Sequence, residues 1–247
     1  KMTHSPLTLY CNCFHKSEHE YTQFNQKNLM LGASSITDAS YRAYLTNRGY
    51  LFDDTLDNIS DLNKWVGDLT GLYWIWKNTN DEFVGTNQYR RFWDDEFVST
   101  LKLDQNSLYI SAPLHFEQSA YDQYIRWCGE IGFHILYEAS SQNKINMTAN
   151  MIDVLKQIKS LSSCNMFFGH RTVFNKVCEI LFEIIFELYN GVKYSLPYIQ
   201  TQGELAANKP QTRMLAFLSE RILTMMFVNK EYYFGNMNIV MTPWRVI

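Results

Sequence analysis

Between Leu62 and Trp93 the chain changes its hydrophobic period, and that change limits the folds open to it. Leu62, Trp65, Val66, Leu69, Leu72, Tyr73 and Trp76 recur at helical spacings, which predicts a helix from about Leu62 to Lys77 with one apolar face. Asn78-Thr79-Asn80-Asp81 ends it, and Glu82 to Phe92 reads as a strand running into a loop. A helix delivered straight into a strand is the unit of a βαβ architecture. The same span mixes its aromatics with Lys77, Arg90 and Arg91, cations that cannot all be buried without partners. One side of it therefore reads as core, and the other as the wall of a pocket for an anionic ligand. Thr70, Trp74 and Lys77 lie off the apolar face and form the expected ligand side.

Upstream, Leu7 to Phe14 alternates and predicts a first strand, with Cys11 and Cys13 on the same side as two buried thiols. His15 and Lys16 follow at its carboxyl end, where open α/β sheets bind ligands, although a solvated loop is the plainer reading. Leu29 to Ser34 reads as a short strand ending in the small residues Gly32 and Ala33. The turn-rich segment from Phe52 to Asn63 holds Asp53, Asp54 and Asp57; turn chemistry outweighs a metal reading there, and Asn58 or Ser60 caps a helix starting near Asp61. Arg90 and Arg91 beside Asp94-Asp95-Glu96 also admit a surface ion-pair cluster.

Downstream, Ser107 to Pro113 and Cys164 to Gly169 read as strands. Tyr121 to Phe133, Met151 to Leu161, Phe174 to Tyr189 and Thr212 to Val228 read as helices, with Gly191 closing the third as a left-handed cap. Ala139 to Ala149 and Pro197 to Pro210 read as loop-rich, and Ile239 to Ile247 as a last strand or tail.

A chain of 247 residues that is 46% hydrophobic can bury one sizeable core. A net charge of −3 argues against a general nucleic-acid binder. Lys1 to Pro6 shows no signal-peptide pattern, no apolar run approaches the roughly 18 residues that span a bilayer, and the five cysteines fit no zinc spacing. Reduced thiols fit the cytoplasm. There is no G-x-S-x-G elbow, P-loop or G-x-G-x-x-G. What remains is an α/β sheet with Lys16, Lys77, Arg90 and Arg91 near element ends. Such cations suit a diphosphate and nearby aromatics suit a base or sugar ring, so a nucleotide-sugar site is expected, in an enzyme or in a binding module.

Asp57-Asn58-Ile59-Ser60, the whole of Leu69 to Asn78, Val84-Gly85, Tyr89-Arg90-Arg91-Phe92, Cys164-Asn165-Met166-Phe167 and Leu215 to Arg221 occur in that order. Together, from His15-Lys16 to Glu220-Arg221, they resemble the bacterial capsular polysaccharide synthesis family, which includes galactofuranosyltransferase-like domains. The resemblance implies one A-type, Rossmann-like glycosyltransferase domain over residues 1–247, with a mixed central sheet, flanking helices and a helix-rich part from about residue 170. It implies a UDP-sugar donor, galactofuranose or galactose, and a growing capsule, O-antigen or lipooligosaccharide acceptor, as free or lipid-linked glycan. A cytoplasmic protein, at the inner face of the membrane by peripheral contact, is the matching expectation. No resident cofactor is expected; a divalent Mn²⁺ or Mg²⁺ is left open, and no metal ligand is assigned.

The expected catalytic residues are Asp68 or Glu220 as the base, with Asp94 or Asp95 behind them, and Arg90 and Arg91 as charge for the departing diphosphate, helped by Lys77 or Lys16. Glu220 reads equally as a structural bridge to Arg213 or Arg221. The expected substrate-binding set comprises His15, Lys16, Gly32, Ala33, Asp57 and Asn58, then Ser60, Asn63, Thr70, Trp74 and Lys77. Gln88, Tyr89, Asn165, Arg213 and Arg221 complete it. Two departures stand out: Gln88 occupies the place of a usual His before Tyr-Arg-Arg, and Asp68 that of a Glu. A standard Asp-x-Asp metal motif is not evident. The competing classes are a non-catalytic binding module and a glycan hydrolase, whose carboxylates would face each other about 5–10 Å apart.

Overall fold

The computed structural model describes residues 6–15, 21–197 and 212–247. Its strands are β1 (Leu7–Cys13), β2 (Gln26–Met30), β3 (Leu51–Phe52), β4 (Phe83–Gln88), β5 (Arg91–Trp93), β6 (Ser107–Ser111), β7 (Leu114–His115), β8 (Ser160–Leu161), β9 (Phe167–His170), β10 (Asn238–Thr242) and β11 (Trp244–Val246). The helices are α1 (Ala39–Asn47), α2 (Asn63–Val66), α3 (Leu69–Asn78), α4 (Asp95–Thr100), α5 (Ala120–Cys128), α6 (Ile131–Ser141), α7 (Ala149–Asp153), α8 (Arg171–Val192), α9 (Met214–Val228) and α10 (Lys230–Phe234).

The central sheet runs β10-β6-β9-β4-β1-β2-β3, with β5 on β4 and β11 on β5. Strands β3, β2, β1 and β4 are mutually parallel, and β9 inserts antiparallel between β4 and β6. The expected mixed α/β sheet with flanking helices is therefore what the chain forms.

This arrangement fixes where chemistry can gather. The parallel strands all point their carboxyl ends to one edge, β4 ending at Gln88. Because β9 runs the other way, its beginning, just after Asn165, meets that edge. A crossover helix runs against its strands, so the amino end of α3 also returns there.

The core lies between the sheet and α3, α8 and α9. Trp76 stacks on Phe182 of α8 with centroids 5.6 Å apart, and Tyr73 meets the same ring edge-on at 5.3 Å. The aromatics of the helical stripe are thus packing, as their spacing predicts. Helix α9 is buried on nearly every side, which makes Arg221 on it a cation inside an apolar helix. Cys11 and Cys13 are both fully buried, their sulfurs 3.9 Å apart.

Several elements differ from the sequence expectation. The helix predicted over Leu62–Lys77 is broken at Gly67, whose φ of 57° and ψ of −129° suit only glycine; a Cβ there would sit 2.9 Å from that of Ala216. The predicted helix over Tyr121–Phe133 is two, because Gly129 closes α5 with φ 82° and α6 then runs through Ser141 into the predicted loop. Gly191 is no cap: α8 continues through it to Val192. The helix expected over Met151–Leu161 shrinks to α7, one 3-10 turn and β8. Arg91 to Trp93 is a strand, β5, that hairpins back from β4 through Tyr89-Arg90. The segment expected to be a loop between Pro197 and Pro210 lies almost wholly outside the described residues. No helix among the described residues is long and apolar enough to cross a membrane.

Candidate active site

At the carboxyl edge of the sheet opens a cleft of about 700 Å³. It brings together nine of the expected site residues, contributed by the α2–α3 break, the β4–β5 hairpin, the turn before β9 and helix α9: Asp68, Gln88, Tyr89, Arg90, Arg91, Asn165, Arg213, Glu220 and Arg221.

Asp68 owes its position to the break at Gly67. It starts α3 but makes no capping bond to that helix, so its carboxylate is free for the cleft. It receives only neutral donors: Gln88 Nε2 at 3.0 Å, and Asn165 Nδ2 at 3.2 Å from each carboxylate oxygen. Burial, and then the nearby Glu220 carboxylate, push its carboxyl up to about 7, against the pull of Asn165 and Arg213. Such a group changes protonation near neutrality, as a general base must.

The amides that hold it are themselves held. Gln88 is buried and gives its amide to the Cys164 carbonyl at 2.9 Å as well as to Asp68, so both its N–H groups are engaged. It carries no titratable proton, and it bridges strand and turn. The Asn165 oxygen accepts from Ser219 Oγ on α9 at 3.1 Å. Cys164 and Asn165 are both left-handed, with φ of 69° and 50°, an unusual pair of non-glycine residues in that region. That turn aims the Cys164 N–H at Glu220 Oε1 and the Asn165 side chain at Asp68.

Glu220 is committed elsewhere: its other oxygen accepts from Arg221 at 3.0 Å. Arg221 also donates to the Phe217 carbonyl at 2.9 Å and to Gln123 Oε1, and its guanidinium lies 5.1 Å from the centre of the Tyr124 ring. Of the two readings of Glu220, the geometry supports the bridge, leaving Asp68 as the carboxylate available to a substrate. The Cys164 thiol is pushed up to about 12 by burial and by Glu220, and the Cys128 thiol likewise by burial, so neither supplies a thiolate.

Arg90 is exposed at the hairpin tip, its guanidinium 4.8 Å from the Tyr89 ring centre, and Arg91 is half-buried beside it. Neither forms an ion pair among the described residues. The acids expected to neutralise them are used otherwise. Asp94 caps α4 by accepting from Phe97 N at 2.9 Å. Asp95 takes Gln23 at 2.8 Å, Tyr21 and Arg245. This pair therefore forms no surface cluster with the arginines, and Asp94 and Asp95 are not second-choice bases. Both guanidinium-bearing residues line the cleft.

The remaining expected residues lie away from it. Thr70 is buried and donates to Asp53 at 2.6 Å; Trp74 is buried and its indole N–H reaches Thr55 at 3.1 Å. Lys77 is exposed over the Trp76 ring at 3.7 Å, nine residues along α3 from Asp68, roughly 13 Å down the helix axis. The predicted ligand face of α3 is thus not one: its end, rather than its side, meets the cleft. Gly32, Ala33, Ser60 and Asn63 belong to a buried network around Asp53. That carboxylate accepts from Gly32 N and Ala33 N at 2.9 Å each and from Ser60 Oγ at 2.6 Å, while Asn63 bonds Thr70 at 3.0 Å. Asp57 accepts from Tyr73 at 3.0 Å, and Asn58 makes a turn by accepting from Ser60 N at 3.2 Å; neither Asn58 nor Ser60 caps a helix. Asp54 pairs with Arg42 at 2.7 Å, so the acidic turn is structural. His15 is exposed, its ring stacked on Tyr41 at 4.8 Å. Lys16 lies outside the described residues. No group of three or more His, Cys, Asp or Glu that could hold a metal ion occurs among the described residues.

The cleft lining also includes apolar side chains that the sequence did not announce: Leu114, Phe116, Trp127, Phe217 and Trp244. These come from segments far apart in the chain, and only the fold joins them.

Comparisons with known proteins agree with this architecture. The model of a family described as a domain of unknown function, DUF4422, matches residues 11–232. No curated protein matches the chain. A solved structure titled as the apo form of WbbM, a bifunctional glycosyltransferase, superposes with a TM-score of 0.71 at 18% identity, over 98% of this chain and 45% of that one. The chain thus spans less than half the length of that protein, and the likeness is one of fold.

Proposed function

Because the chain belongs to the DUF4422 family, which is defined without an activity, we propose its reaction from the cleft itself: glycosyl transfer from a UDP-sugar, with Asp68 as the base and Arg90 and Arg91 on the diphosphate. The observation that carries this reading is the placement, in one cleft, of a carboxyl tuned to about 7 and two guanidiniums that pair with no carboxylate among the described residues. The shared fold with a glycosyltransferase is consistent with it.

In this reading the acceptor hydroxyl approaches Asp68, which takes its proton as the oxygen attacks the anomeric carbon. The bond from that carbon to the diphosphate oxygen breaks, and its electron pair leaves with UDP. Arg90, Arg91 and Arg213 meet the charge developing on that oxygen. With Asp68 open to the substrate and the other carboxylate of the cleft, Glu220, held by Arg221 and the Cys164 N–H, a single displacement with inversion is favoured. Gln88 and Asn165 orient the base. A galactofuranose or galactose donor and a bacterial surface-glycan acceptor, free or lipid-linked at the inner face of the membrane, complete the proposal. They are the substrates that the sequence resemblance implies.

Thermal-shift measurements with UDP, UDP-galactose, UDP-galactofuranose, GDP and CDP test the donor. Stabilisation by the uridine compounds is expected; none by any nucleotide contradicts the reading. Because arginines supply the charge here, turnover is expected to continue in EDTA. Activity abolished by EDTA and restored by Mn²⁺ would overturn the metal-independent form.

A further inference from the structure

We propose that the part of the cleft built on Trp127 and Gln123 of α5 is a subsite that stacks a hexose ring of the acceptor. This rests on the transferase reading and adds to it the residues that would hold the second substrate.

Trp127 is 37% exposed within the cleft, a wide ring where burial would be the default. Its indole N–H has no acceptor among the described residues, and its ring stacks on no other. One turn earlier on the same face of α5 stands Gln123. The Gln123 oxygen is fixed by Arg221, while its amide N–H groups donate to nothing among the described residues. Arg221, which holds that oxygen, is 3% exposed and lines the same cleft. Leu114, 40% exposed on β7 of the β7–β8 pair, and Phe116 line the same cleft.

The arrangement is an aromatic platform edged by unspent amide donors. A hexose offers the matching pair of surfaces: a C–H face for the indole, and hydroxyl oxygens at its rim for the donors. A diphosphate has no apolar face, and Arg90 and Arg91 stand on the hairpin side of the cleft. An aromatic platform on α5 and cations on the β4–β5 hairpin, with Asp68 in the same cavity, suit two unlike substrates.

Saturation-transfer NMR on the full chain tests this, with methyl β-D-galactopyranoside, methyl β-D-glucopyranoside and methyl α-D-mannopyranoside as probes and UDP observed in the same samples. At least one glycoside is expected to receive saturation on its ring protons with the wild type and with Trp127→Phe. Trp127→Ala is expected to weaken that binding at least tenfold while leaving UDP binding unchanged. Saturation of no glycoside, or equal saturation in Trp127→Ala, overturns the subsite. Loss of UDP binding in Trp127→Ala also overturns it, since the ring would then serve the donor. Glycoside binding without UDP binding in the wild type would instead remove the donor reading and leave the sugar subsite standing.

Discussion

Gln88 and Asp68, twenty residues apart on different elements, meet as amide and carboxylate at 3.0 Å. The same amide nitrogen holds the Cys164 carbonyl at 2.9 Å, so one side chain fastens the end of β4 to both the base and the left-handed turn. Replacing Gln88 by Leu removes two donors at once. Stability is expected to fall by about 1–3 kcal/mol through the carbonyl and carboxylate left unpaired. Losing a donor to the charged form also raises the Asp68 carboxyl further, so the acid limb of the rate profile moves to higher pH. A profile unmoved in Gln88→Leu would separate Gln88 from the base.

The pH dependence has a definite sign. Asp68 is a base only when ionised, and its carboxyl is raised to about 7. The rate is expected to rise with pH through about 7 and to be lost in acid. Stability runs oppositely. Between the ordinary carboxyl range near 4 and about 7 the native state holds the proton that the unfolded chain releases, so this site's contribution falls as pH rises through that window. Asp68→Asn is expected to be more heat-stable than the wild type at pH 8 and about equal to it at pH 4. Melting curves at the two pH values check this.

Arg90 and Arg91 serve the ligand rather than the fold. Arg91→Ala and Arg90→Ala are each expected to weaken UDP binding about tenfold or more, an effect of roughly 1.4 kcal/mol that shrinks at high salt. The melting temperature should move little, because neither guanidinium has a carboxylate partner among the described residues to lose. Calorimetric titration of UDP at two salt concentrations measures this.

Asp53 is the opposite case. Its carboxylate satisfies Gly32 N, Ala33 N, Ser60 and Thr70 in the interior. Asp53→Ala leaves these donors unpaired and is expected to cost about 3 kcal/mol or more, read as a large drop in denaturation midpoint.

What the chain revealed before folding, and what it hid, follows from how local each signal was. Strands β1, β4 and β6 and helices α8 and α9 were legible because each carries its own periodicity. The break at Gly67 was not, because the apolar spacing of Trp65, Val66, Leu69 and Leu72 continues across it; Gly-Asp read as a helix stop and restart was the available clue. That miss displaced the expected ligand face from the end of α3 to its side. Arg90, Arg91 and Asn165 were legible as candidates through the family blocks they stand in, and Asp68 through its place just before one of them. The commitment of Glu220 to Arg221, the left-handed Cys164-Asn165 turn and the Trp127 platform depend on contacts between distant segments, and no local pattern encodes them.

The most direct test follows UDP release from UDP-galactose and UDP-galactofuranose by the wild type and by Asp68→Asn, with methyl β-D-galactopyranoside as acceptor. The wild type is expected to release UDP, and Asp68→Asn to bind UDP with similar affinity while releasing it about 10²–10⁴-fold more slowly. Wild-type protein that binds no sugar nucleotide, or Asp68→Asn that turns over at the wild-type rate, would contradict the account.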